Sequence, residues 1–250
     1  MSPLARDIFL LCAGVAGGAL GTAGAITSLV SYPALIVAGL QPLAANVTNI
    51  VAATALWPGS ALASRPELRG RATWLARHLP AAAAGAAIGV VLLVSTPAHS
   101  FAEIVPFLVA GGSLMLLLSP VLTRQANAPR IPEWGVQTTI LLVSVYAGYF
   151  GAASGVMTLA LLLIAVTPQL PRANALKNML IGAGSVIASL ALIVLHPIEW
   201  STTIPLAAGM FAGSALGPHV TRRVSPAFMR PLVAAVGLGL AIELWLGHGM

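Results

Sequence analysis

Lys177 is the one basic residue that leads directly into an apolar run, within the segment RANALKN at 172–178. On a helix, Asn174, Lys177 with Asn178, Ser185 and Ser189 follow one another at steps of three or four, then seven, then four, and so fall near one face. A second stripe, Thr48 with Asn49 and then Ser60, runs along an earlier segment. Polar side chains aligned in this way are costly against lipid, so both stripes should face the interior of a helix bundle. Two readings of Lys177 are open: an ammonium that snorkels to the headgroups, or a fixed positive charge for an anion. The neighbouring amides and hydroxyls are likewise either interhelical hydrogen-bonding groups or donors to that anion.

Glycine supplies the second chemical lead, in the clusters GGALGTAG at 17–24 and GYFGAASG at 148–155. A helix that starts within the membrane presents unpaired N–H groups and the positive end of its dipole, and glycine lets an anion approach that backbone. Two such tips, near Gly21, Thr22, Ala23 and Gly24 and near Gly151 to Gly155, could meet over one solute, with Thr22 and Ser154 adding hydroxyl donors. The alternative is that Gly17xxxGly21, Gly151xxxGly155, Gly85xxxGly89 and Gly209xxxGly213xxxGly217 are small-residue grooves for helix contact. We read the last two series as grooves and the first two as solute-binding tips, since those coincide with overlong apolar runs.

Other chemistries lack their residues. There is no GxxxxGK[ST], HExxH or GxSxG, and the histidines 78, 99, 196, 219 and 248 are scattered at expected membrane boundaries, so an enzyme is not expected. Asp7, Glu67, Glu103, Glu133, Glu199 and Glu243 lie in loops or near helix ends, which leaves no carboxylate relay for a cation at midmembrane. A single cysteine, Cys12, excludes an internal disulfide and any CxxC motif. No cofactor, metal site or nucleic-acid partner is expected.

The elements that must position these groups are membrane helices. The 250 residues are 58% hydrophobic and 7% charged, with a mean hydropathy of +0.94, so the solvent of this chain is the lipid bilayer. Uncharged runs lie at about 8–39, 43–63, 74–95, 104–122, 136–168, 178–195, 201–218 and 228–247. The runs 8–39 and 136–168 are too long for one span and too short for two, and both carry a glycine cluster near the middle, which predicts re-entrant hairpins of two half-helices. Arg6 ahead of the first run is also how a signal peptide begins. Recurrence of the pattern argues for a membrane segment instead.

Gly18, Gly21 and Ala23 match Gly148, Gly151 and Ala153 at an offset of 130, while Pro42, Ala44 and Asn49 match Pro171, Ala173 and Asn178 at 129. Pro97-Ala98 meets Pro226-Ala227 at the same 129. This order favours a single membrane domain over 1–250 made of two repeats, 5–122 and 134–247. With hairpins that return to their own side, the arginines at 65–77, 124–130, 172 and 222–230 share one face and Arg6 lies opposite, as the positive-inside rule requires. The expected fold is therefore an all-α polytopic membrane protein with two inverted structural repeats. Each is a glycine-broken re-entrant hairpin plus three transmembrane helices, with both termini extracytoplasmic.

The glycine cluster followed by proline in GGALGTAGAITSLVSYP (17–33), its echo YAGYFGAASGV (146–156), the RANALKN opening and the two-repeat layout together resemble the TauE/SafE family of membrane permeases, often called sulfite exporters. The resemblance spans almost the whole chain. It departs from the family's run of glycines by having Gly21-Thr22-Ala23-Gly24. What it implies is export or permeation, across a bacterial inner membrane, of a small sulfur-containing oxyanion or organosulfonate such as sulfite. The residues expected to bind the substrate are Gly21, Thr22, Gly24, Thr48, Asn49, Gly151, Ser154, Asn174, Lys177 and Asn178. Oligomeric state is not readable. A membrane scaffold whose polar stripes only pack helices is the competing reading, and a cation or metal permease is a third, for which Met157 and Met179 lack partners.

Overall fold

A computed structural model describes residues 2–24, 26–123 and 131–221, with positions 235, 238, 239, 242 and 245 beyond them. The described residues form eleven helical segments. They are α1 (Pro3–Gly24), α2 (Thr27–Val37), α3 (Pro42–Ala53), α4 (Leu56–Ala63), α5 (Arg65–Leu68) and α6 (Ala72–Ser95), followed by α7 (Ala98–Thr123), α8 (Glu133–Tyr149), α9 (Ser154–Ala165), α10 (Leu170–Leu195) and α11 (Trp200–Thr221). Pro3–Ala23, Ala72–Ser95 and Leu170–Leu195 are long and apolar enough to cross a membrane. Large apolar side chains such as Leu4 and Ile8 on α1, Val91 on α6, Phe107 on α7 and Val194 on α10 point outward, as they do where lipid is the solvent.

Both overlong runs break at their glycine clusters, but into unequal arms. The 22 residues of α1 reach about 33 Å, a full span, whereas the 11 of α2 and 12 of α9 reach about half of one. The expected half-helix on the first side is thus corrected to a full-length helix that runs through Gly21 and ends at Gly24. The physical reason is packing. Glycine inside a helix costs about 1 kcal/mol relative to alanine, and here close contact offsets it. A Cβ at Gly14 or Gly18 would overlap the Leu206 or Met210 carbonyl of α11, and one at Gly21 would overlap the Thr27 hydroxyl of α2. Gly17 lies against Ser31 and Gly21 against Thr27, so α2 folds back antiparallel along α1.

The run 43–63 is also corrected, since it breaks at Thr54-Ala55 between α3 and α4. Pro58 explains the position: it has no N–H to give the carbonyl of residue 54, and its ring crowds that carbonyl. The Thr54 carbonyl accepts from Trp57 N–H at 3.2 Å, while the Thr54 hydroxyl donates to the Ser185 carbonyl of α10 at 3.1 Å and meets the Ser189 hydroxyl. The helix expected to open at RANALKN starts at Leu170, with Pro171 in its first turn, so it begins before the uncharged run 178–195.

Two helix pairs meet backbone to backbone. Gly14 and Gly18 of α1 face Gly209 and Gly213 of α11, with residue numbers rising together, so the pair is parallel. Gly85 and Gly89 of α6 face Leu141, Val145 and Gly148 of α8 in the same sense. The first helix after each terminus or linker thus packs on a late helix of the opposite half. The groove reading holds for Gly85xxxGly89 and Gly209xxxGly213; the surroundings of Gly217 and His219 on α11 are not described, and the arginines 124, 130, 222, 223 and 230, Pro226-Ala227, His248, Glu243 and most of the run 228–247 lie outside the described residues. His78 is a correction: it is fully buried, stacked on Trp74 with ring centroids 4.0 Å apart, and not interfacial.

Gly89→Val should destabilise the purified protein by about 1–3 kcal/mol, as overpacking does, because a Cβ there would overlap the Val145 carbonyl. Gly111→Ala on α7, where a Cβ meets nothing within 4 Å, should be neutral or slightly stabilising. Thermal unfolding in detergent measures both, and equal effects would contradict a direct backbone contact between α6 and α8.

Candidate functional site

A cavity of about 100 Å³ lies where α1, α2, α3, α4, α6, α8, α9 and α10 converge. One water needs about 10–15 Å³ measured in this way, so there is room for a solute of a few heavy atoms. Lys177 lines it and is only 1% exposed. Its Nζ donates to the Gly21 carbonyl at 3.2 Å, which uses one of three N–H donors. No carboxylate pairs with it among the described residues. Snorkelling is therefore not its conformation: the ammonium turns inward, toward the last turn of α1, where the negative end of the helix dipole favours a cation.

Seven of the ten expected residues line this cavity: Gly21, Thr22, Asn49, Gly151, Ser154, Lys177 and Asn178. Asn49 bridges two residues of α2, accepting from the Ser31 hydroxyl at 2.5 Å and donating to the Ser28 hydroxyl at 3.1 Å. Thr48 is buried on another side of α3 and Asn174 serves a helix end, so neither lines the cavity. The expectation for Gly24 as a lining residue lies outside the described surroundings.

The roles of the two glycine clusters differ from expectation. Gly21 and Thr22 are helical and belong to the C-terminal turn of α1, so this side offers carbonyls where N–H donors were expected. The N-terminal end on that side comes later, at Thr27 and Ser28 of α2, which do line the cavity. On the other side the glycine cluster breaks the helix, and a helix N-terminus follows it. Gly151 has φ +83° and Ala153 φ +60°, and the turn delivers Ser154 and Gly155 as the first residues of α9, facing the cavity. A left-handed alanine costs about 1 kcal/mol or more and persists only where the surroundings enforce it.

Two asparagines hold the helix ends beside the cavity. Asn174 Nδ2 of α10 donates to the Thr22 carbonyl at 2.8 Å, and Asn46 Nδ2 of α3 donates to the Tyr149 carbonyl at 2.8 Å. Each half of the chain thereby caps the end of the other half's first helix. Asn46 was missed in the sequence because it sits one position away from the offset that pairs Asn49 with Asn178. Ser28, Trp57, Ser144 and Thr158 also line the cavity without having been singled out. The stripe Asn174, Lys177, Asn178, Ser185, Ser189 does face inward, but it divides its labour. Ser189 donates to the Ile50 carbonyl at 3.2 Å, which is interhelical bonding, while Lys177 and Asn178 face the cavity.

The family model for the sulfite exporter TauE/SafE matches residues 8–244. A probable membrane transporter protein ORF9 of Sinorhizobium sp is 26% identical over 254 residues, covering 96% of both chains. The probable membrane transporter protein YfcA of Escherichia coli K12 is 25% identical, covering 100% of this chain and 93% of its own. A probable membrane transporter protein of Haemophilus influenzae is 27% identical, over 96% and 94% of the two chains. No solved structure gives a significant match.

Removing a buried charge that has no counter-ion among the described residues should not weaken the empty protein. Lys177→Met should leave stability unchanged or raise it by about 1–4 kcal/mol, as replacing buried charges by apolar groups often does. Thermal unfolding without added anion reads this, and a large loss would mark Lys177 as a structural group.

Proposed function

The chain belongs to the sulfite exporter TauE/SafE family of membrane proteins, and from that membership we propose that it is a permease for small sulfur-containing anions such as sulfite or organosulfonates. The observation that carries the reading is Lys177, a buried ammonium with no carboxylate partner among the described residues, which lines a cavity sized for a small solute. A buried cation in lipid surroundings is costly unless something neutralises it. A bound anion does so, with donors from the N-terminal turns of α2 and α9 beside it. Gly21, Gly151, Thr22, Ser154, Asn49 and Asn178 shape and line the same space, and Asn174 holds the end of α1 that receives Lys177.

We further propose that the chain is one membrane domain of two inverted repeats, 5–122 and 134–247, in a bacterial cytoplasmic membrane, with Arg6 outside. Supporting this are the reciprocal packing of α1 on α11 and α8 on α6, and the reciprocal Asn174 and Asn46 caps. The anion site lies between the halves, so rocking one half against the other would expose it to each side in turn. For an anion leaving the cytoplasm the membrane potential contributes about 2.3 kcal/mol per charge per 100 mV in the outward direction.

Two experiments test this. Proteoliposomes containing the protein should pass sulfite, and Lys177→Met should lower the flux about tenfold or more, since one charge-assisted hydrogen bond is worth about 1.5–3 kcal/mol. Flux that is absent in both, with only stability or partner binding altered, would support the scaffold reading instead. In a Cys12→Ala background, cysteines at Pro42 and at Pro171 should label from opposite sides of the membrane, and labelling from one side would remove the inverted arrangement.

A further inference from the structure

We propose that the cavity accepts its occupant as a singly charged, protonated oxyanion, so that the species carried from a sulfite solution is hydrogen sulfite and not the dianion. This rests on the anion-site reading and adds the charge state to it. Charge balance favours the monoanion. Lys177 is the sole ionisable residue lining the cavity among the described residues. One ammonium neutralises one negative charge, and the second charge of a dianion would be left inside the bundle without a counter-ion, where an unpaired ion costs several kcal/mol.

The hydroxyl groups favour it too, through the direction of their hydrogens. Thr22 donates to the Gly18 carbonyl at 2.8 Å, Ser154 to the Gly151 carbonyl at 2.8 Å, Thr158 to the Ser154 carbonyl at 2.9 Å and Ser60 to the Trp57 carbonyl at 3.1 Å. One of the two Asn49 amide N–H groups goes to the Ser28 hydroxyl. A hydroxyl that has given its hydrogen to a backbone carbonyl presents lone pairs to the cavity. These four residues all line it. The N-terminal turns of α2 and α9, the Trp57 indole N–H and Lys177 supply donors for the oxygens of a monoanion, and these four hydroxyl oxygens can accept the one proton that hydrogen sulfite keeps.

No other described group titrates into the cavity. The ionisable groups on the elements packed against α10 are Arg77 and His78 on α6, Glu133, Tyr146 and Tyr149 on α8, Arg65 and Glu67 on α5, and Arg6, Asp7 and Cys12 on α1, with Arg172 on α10 itself. None lines the cavity, and α3, α4 and α9 carry no ionisable side chain. Arg77 is already paired with Glu133 at 2.6 Å.

Binding to the purified full-length protein, followed by anion-dependent thermal stabilisation between about pH 6 and pH 8.5, separates the charge states, because the monoanion fraction of sulfite falls about tenfold per pH unit above its second ionisation. The apparent affinity for total sulfite should fall in that proportion. Methanesulfonate, which is singly charged throughout, should bind with an affinity that does not change with pH, and sulfate, a dianion throughout, should bind at least about tenfold more weakly than methanesulfonate. Sulfite affinity that is flat or rises with pH, or sulfate binding as tight as methanesulfonate, would overturn the inference while leaving the anion site standing. A fall for methanesulfonate in step with sulfite would also overturn it, by assigning the pH dependence to Lys177. If none of the three anions stabilises the protein at any pH, the anion-site reading itself fails and this inference goes with it.

Discussion

An ammonium group held inside an apolar bundle by one backbone carbonyl sets the terms for everything around it. Taking such a charge out of water costs several kcal/mol, and the contact from Lys177 Nζ to the Gly21 carbonyl offsets only part of that cost. The carbonyl is well chosen, because it lies in the last turn of α1, where the helix dipole is negative and free acceptors are present. Asn174, one turn before Lys177, fastens the neighbouring Thr22 carbonyl to the same helix. The position of the charge thus requires α10 to start against the end of α1, and that end can be there only because Gly14 and Gly18 let α1 press directly on α11.

The same constraint explains why the opposite wall is irregular. A cavity needs elements that stop short of filling the bundle, and α2, α4 and α9 do so for separate reasons. Pro58 has no N–H to give the Thr54 carbonyl and ends α3, and the Thr54 hydroxyl ties the break to Ser185 and Ser189 of α10. Gly182 accepts the indole of Trp57, where a Cβ would collide with the ring. Gly151 and the left-handed Ala153 turn the chain so that α9 begins facing the cavity. Breaks of this kind are tolerated at membrane depth where they are buried in protein or line a polar space, and here they surround one buried positive charge.

Much of this was legible from hydropathy and residue type. The length of the runs 8–39 and 136–168 announced two broken segments, and polar residues at helical spacing announced the inward face of α10, because lipid penalises both exposed backbone and exposed polar side chains. What could not be read was the point at which a glycine-rich helix ends. Glycine serves equally as a breaker and as a close-packing residue, and only the presence of α11 and α2 against α1 decides that Gly21 stays helical. That single shift turned the expected donor end at Gly21 and Thr22 into an acceptor end and moved the donors to Thr27 and Ser28. Thr48 and Asn49 are adjacent in sequence, so only the rotation of α3 separates the one that lines the cavity from the one that does not. The burial of His78 was hidden for a similar reason, since a histidine near a helix end looks interfacial until its stacking on Trp74 is seen.

If Lys177 is the counter-charge of a bound oxyanion, a heavy-atom analogue of sulfite must settle beside it, and anomalous diffraction from crystals grown with selenite would locate that atom. A selenium peak within about 4 Å of Lys177 Nζ, the distance set by one charge-assisted hydrogen bond to a selenite oxygen, and facing Gly151 and Asn178, is the expected result. Selenium found only on peripheral arginines, with the space beside Lys177 empty at saturating selenite, would contradict it.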